Sequence, residues 1–142
     1  EGSCDSSWYE QCSVSYRIVL PAEMAVTLDT DNGRIDLGDL GGRIDAYSDN
    51  GAIDAARLAA PEVHAESDNG HVALAFNTAP DTVEARSDNG RVDVTVPASA
   101  AAYAVDAVSD NGDVDVGVAT DPASERTIDA SSDNGAVTVR GA

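Results

Sequence analysis

Six aspartates, Asp31, Asp49, Asp68, Asp88, Asp110 and Asp133, each stand between a Ser or Thr and an Asn-Gly pair, and the tetrapeptide recurs at steps of 18, 19, 20, 22 and 23 residues. Stacked repeats would set successive carboxylates about 5 Å apart. At that distance two charges repel by roughly 1 kcal/mol in water, and by more near a protein surface. A hard cation relieves such a column, and Ca²⁺ takes carboxylate, carbonyl and water oxygens in flexible geometry. The plainer reading is that each Asp makes a local turn hydrogen bond and is solvated and screened. The Gly-Gly-x-Gly-x-Asp nonapeptide of calcium-binding β-rolls is absent, which counts against the metal.

Other candidates for chemistry are sparser. A second acidic column, Asp36, Asp54, Asp93 and Asp115, is interrupted by Ala73 and Thr138, and a third, Asp45, Glu84, Asp106 and Asp129, by His64. Both read first as solvent faces of sheets. The weaker alternative is a carbohydrate-active enzyme using paired carboxylates, but no loop is long enough to build a cleft. His64 and His71 lack the three or four ligands of a zinc site and read as surface residues. The corner serines belong to the repeat, so no nucleophile is assigned and no enzyme is expected. Cys4 and Cys12 are expected to form a disulfide closing a short loop, which fits an oxidising compartment. A lipid-modified Cys4 is the poorer alternative, because Glu1 stands where that signal wants an aliphatic residue. Trp8, Tyr9, Tyr47 and Phe76 are the aromatic contact candidates, with Tyr47 on the outward register.

The elements that must hold these residues follow from period two. After each corner comes an apolar-polar-apolar triplet such as Ile53-Asp54-Ala55 or Val92-Asp93-Val94, and before it a similar one such as Val63-His64-Ala65. Each repeat therefore reads as strand, corner, strand, loop. Asn-Gly also signals hairpins, but column-by-column likeness favours coils stacked in parallel, where equivalent residues meet the same neighbours. The alternation puts Ser48 and Asn50 inward and Asp49 outward, with stacked amides bonding along the column. The corner pairs are Asn32-Gly33, Asn50-Gly51, Asn69-Gly70, Asn89-Gly90, Asn111-Gly112 and Asn134-Gly135, whose glycines are free to take positive φ.

The expected fold is all-β: a single-domain, right-handed, two-sheet parallel β-solenoid of about six coils of 18–23 residues. Residues 1–20 are expected to form an amino-terminal cap with a first strand, and 21–142 the repeats. No comparable cap follows Val139, so the open coil ending at Gly141-Ala142 is a possible surface for end-to-end self-association.

Composition bounds the partners. The 142 residues suit one domain. Among them, 26 Asp and Glu face 8 Arg and no Lys, a formal charge of −18, which excludes phosphate-driven nucleic-acid binding and anionic lipid. Genomic or high-salt composition would account for the same acidity. No apolar run approaches the roughly 20 residues of a membrane span, so this segment is not expected to insert. The expected setting is extracytoplasmic, secreted or at the cell surface. The expected role is a non-enzymatic binding, adhesion or scaffold module meeting a protein or glycan. The alternative is a Ca²⁺-dependent structural domain; no other cofactor is expected.

From Tyr16-Arg17-Ile18-Val19-Leu20-Pro21 through all six corners, the chain resembles the DUF4097 β-strand repeat family of bacterial cell-surface proteins, named for adhesion. The likeness lies in repeats such as Ala85-Arg86-Ser87-Asp88-Asn89-Gly90-Arg91-Val92-Asp93-Val94. It implies a parallel β-solenoid displayed outside the membrane, often behind an amino-terminal membrane segment, and carries over no catalytic residue. Asp-Asn before every corner Gly, and the high acidity, depart from the family's usual pattern.

Overall fold

The computed structural model is described over residues 21–98 and 102–142. Cys4, Trp8, Tyr9, Cys12 and the first strand expected within 1–20 lie outside the described residues.

Each repeat contributes one strand before its corner and one after it. In chain order the pairs are β1 (Val26–Thr30) and β2 (Ile35–Gly38), β3 (Ile44–Ser48) and β4 (Ile53–Leu58), and β5 (Glu62–Ser67) and β6 (Val72–Phe76). There follow β7 (Thr82–Ser87) and β8 (Val92–Val96), β9 (Ala104–Ser109) and β10 (Val114–Gly117), and β11 (Thr127–Ser132) and β12 (Val137–Gly141). Odd-numbered strands form one six-stranded parallel sheet and even-numbered strands the other. Register is kept column by column, Ile44 beside Val63 and Val63 beside Val83.

The core lies between the sheets. Ile44, Ile53, Val63, Val72, Val83, Val92, Ile128 and Val137 are fully buried, each contributing roughly 1.5–3 kcal/mol of apolar burial. Along the odd strands the inward side chains shrink toward the corner, from Ile44 to Ala46 to Ser48 and from Val83 to Ala85 to Ser87. This taper lets the two sheets converge where the chain turns.

The coils do not stack in chain order. The sheets run β1-β3-β5-β7-β11-β9 and β2-β4-β6-β8-β12-β10, so the sixth coil lies between the fourth and the fifth. The step from β9 through β10 to β11 runs backwards along the stack, so that crossover has the hand opposite to the others, against the usual uniformity of parallel connections. The expectation of an open coil at Gly141-Ala142 is thereby corrected. β12 is paired on both sides, and the Ala142 N–H donates to the Val96 carbonyl at 2.8 Å.

Charge and burial give the physical reason. The segment 102–125 that forms the fifth coil carries Asp106, Asp110, Asp113, Asp115, Asp121 and Glu125 with no Arg, Lys or His. At the end of the stack it has one neighbouring coil instead of two. The sixth coil inserts Thr138 between Asp93 and Asp115 and brings Arg140 to Asp93 at 3.4 Å. It also buries Ile128, Ala130, Val137 and Val139 completely, whereas Val114 and Val116 of the end coil stay 44% and 38% exposed.

Candidate functional site

The corner column is a continuous polar spine. The Ser67 hydroxyl donates to the Gly51 carbonyl at 2.9 Å and accepts the Gly70 N–H at 2.9 Å. Ser87, Ser132 and Ser109 repeat the pattern toward Gly70, Gly90 and Gly135 in turn, each at 2.8 Å. The hydroxyls of Ser48, Ser67, Ser87 and Ser132 are therefore buried and satisfied. Beside them the amides form a one-way ladder. Asn50 donates to Asn32, Asn69 to Asn50, Asn89 to Asn69, Asn134 to Asn89 and Asn111 to Asn134, at 2.9–3.0 Å.

Two expectations about this corner are corrected. Asn50 and its equivalents do not point inward; they are exposed, with the ladder running along the outside edge. Among the described residues no glycine takes positive φ. The corner glycine is required by close approach: a Cβ on Gly70 would collide with the Gly51 carbonyl, and one on Gly90 with the Gly70 carbonyl.

The six corner aspartates are aligned, in the spatial order Asp31, Asp49, Asp68, Asp88, Asp133 and Asp110. The Tyr47 hydroxyl lies between two of them, donating to Asp68 at 3.4 Å. Hydrogen bonding to Asp49, then desolvation, then the charges of Asp49 and Asp68 hold the phenol protonated well above its ordinary range. Arg86 approaches Asp88 at 3.8 Å. Among the described residues, no three His, Cys, Asp or Glu side chains converge into a group that could hold a metal ion. The column presents one carboxylate per coil.

The other acidic columns are the outer faces of the two sheets. On the even-numbered sheet, Arg34 bridges Asp36 and Asp54, His71 meets Asp54 at 3.1 Å, and Arg91 meets Asp93 at 2.8 Å. On the odd-numbered sheet the spatial order is Asp45, His64, Glu84, Asp129, Asp106, and His64 contacts Glu84 at 3.0 Å. His64 and His71 thus face outward on different sheets and are not brought together. Asp129 sits between Glu84 and Asp106. Desolvation, then the charges of Asp106 and Glu84, push its carboxyl above the ordinary value, against the opposing pull of Arg86.

The aromatic candidates divide. Tyr47 is half-exposed on the outward face, but Phe76 is buried in the core and offers no contact surface. Tyr103, which the repeat pattern does not single out, is also buried; its hydroxyl has no partner among the described residues, and burial raises its pKa. Asp39 and Arg57 take positive φ, at 58° and 53°, and pair through two hydrogen bonds of 2.8 and 2.7 Å between adjacent coils. Neither follows from the repeat: Asp39 comes directly after β2, and Arg57 lies where the register of β4 shifts against β6 between Ala55 and Leu58.

Two facing parallel sheets, a Ser-Asn-Gly spine and outward acidic columns define a stacked-repeat β-solenoid. The Toastrack DUF4097 family model matches residues 21–140, and the chain belongs to that family. No curated protein and no solved structure matches the chain.

Proposed function

We propose that this chain is a non-enzymatic binding or scaffold module, working outside the cytoplasm and meeting a protein or glycan through its surface. The observation that carries the reading is the use made of the repeat's polar residues. From the second corner on, Ser and Asn are engaged in bonds between coils, and Gly in the approach of coil to coil. What remains outward is a set of regular columns on two parallel sheets. Regular columns suit recognition of an extended partner, whereas catalysis needs carboxylates converging on one bound group. Cys4 and Cys12, if paired, support the oxidising setting.

The test is to immobilise the chain and measure binding of purified cell-wall polysaccharides and extracellular-matrix proteins, while assaying the same glycans for released reducing ends. Saturable binding without product supports the module; turnover of any glycan overturns it.

A further inference from the structure

We propose that the fifth coil is a strand-addition site for a basic, extended polypeptide segment with alternating apolar residues. This deepens the binding reading above and rests on it.

The site lies at the end of the stack. β9 is paired only with β11, and β10 only with β12, so each sheet ends here in a strand edge unpaired among the described residues. Such an edge templates a further strand unless it is covered. Beside these edges lies a groove lined by Val105, Asp106, Ala107, Val116, Pro122 and Asp129. Val114 and Val116 point toward the core side of the coil, yet remain about as exposed as surface residues. Val108, on the outer face, is 48% exposed. An incoming strand with apolar side chains on one face would bury these valines as β12 buries those of its neighbours.

Charge selects the partner. Asp106, Asp110, Asp113, Asp115, Asp121 and Glu125 are exposed, and among the described residues none of them has an ion-pair partner. The direction of the amide ladder adds to this. Asn111 donates inward to Asn134, so the Asn111 Oδ1 and the Gly112 carbonyl face outward as acceptors. A partner rich in Arg or Lys N–H donors meets both the charges and the acceptors. A second copy of this chain docking by the same end would bring like charges and like acceptors together, on a molecule of formal charge −18.

The experiment uses the full chain and a labelled peptide of about nine residues alternating Val and Arg, titrated by fluorescence anisotropy in about 150 mM salt, where long-range attraction is screened. The expected result is saturable binding, weakened by about tenfold or more for a peptide of the same composition with its Arg residues blocked together. Val114→Lys and, separately, Asp115→Lys should each weaken binding by a similar factor, while Thr27→Lys at the far end leaves it unchanged. Asp115 is exposed, so its variant keeps the test decisive if Val114→Lys unfolds. Equal binding of both peptides would mean simple polyanion attraction and overturn the proposal. So would a chain dimer abolished by either variant, because the occupant would then be a second copy. A chain that binds glycan or protein in the preceding assay but ignores the alternating peptide overturns this site alone.

Discussion

Gly70 and Gly90 show how little latitude the corner residues have. Each Cα faces the carbonyl of the preceding coil's glycine, and the neighbouring Ser hydroxyl holds that carbonyl in place. Gly70→Ala should therefore lower stability by about 3 kcal/mol or prevent folding, because the obstacle is backbone and cannot swing aside. Gly117→Ala is the matched control. A Cβ there meets only the Val139 carbonyl, at 3.8 Å, so the change should stay within roughly 0.5 kcal/mol. Urea denaturation of both variants decides the point; equal costs would show that lost flexibility, not collision, sets the glycine requirement.

At the scale of the strand, the order of coils and the run of charge are both open to measurement. In the observed stack Thr95 of β8 is the direct partner of Arg140 in β12, while Gly117 of β10 lies one strand further on. Neighbouring parallel strands are about 4.8 Å apart, within disulfide reach, and a two-strand gap is not. Thr95→Cys with Arg140→Cys should crosslink under mild oxidation, and Thr95→Cys with Gly117→Cys should not. Sequential stacking would reverse the two results, as read from the mass of the disulfide-linked peptides.

The outer column of the odd-numbered sheet gives a second prediction at this scale. Desolvation, and then the two flanking carboxylates, raise the folded-state pKa of Asp129 above the ordinary 3.8. The protonated form is thus favoured by folding. The associated stability is fully present below the unfolded pKa and is lost as pH rises through the folded one. Asp129→Asn should stabilise the protein near neutral pH by a few tenths of a kcal/mol, about the size of a like-charge cross-strand repulsion. The gain should fade as pH falls toward 4, and melting curves across that range would show it. A gain independent of pH would assign the effect to something other than the carboxylate's charge.

For the molecule as a whole, the dominant electrostatic fact is a formal charge of −18. Counter-ions should raise the melting temperature by screening. The corner aspartates stand one to a coil with no metal-binding group among the described residues, so CaCl₂ and MgCl₂ at matched ionic strength should raise it equally. A rise specific to Ca²⁺ would assign the Asp31-to-Asp133 column as a ligand set. Folding is another whole-molecule property. The sixth coil must occupy the space between the fourth and the fifth, so its contacts with β7 and β8 close loops of more than 40 residues. Nearly all pairing in the stack is long-range, a topology that folds slowly.

The repeat, its strand periods and the parallel stacking are legible in the chain alone, because equivalent residues such as Val63, Val83 and Ile128 recur at positions that only a stack makes equivalent. The amide ladder could be anticipated for the same reason. Local pattern misplaced the Asn side chains and gave the glycines the wrong task, since alternation does not continue through a corner and the space beside a Cα depends on the neighbouring coil. The exchange of the last two coils was hinted at only by the longer steps of 22 and 23 residues into the fifth and sixth corners, which provide slack for a connection to pass over one coil. Which coil then takes the interior place is a tertiary decision. It turns on Asp115 finding Thr138 instead of Asp93 beside it, and on Ile128, Val137 and Val139 being covered on both sides while Val114 and Val116 are left to the end.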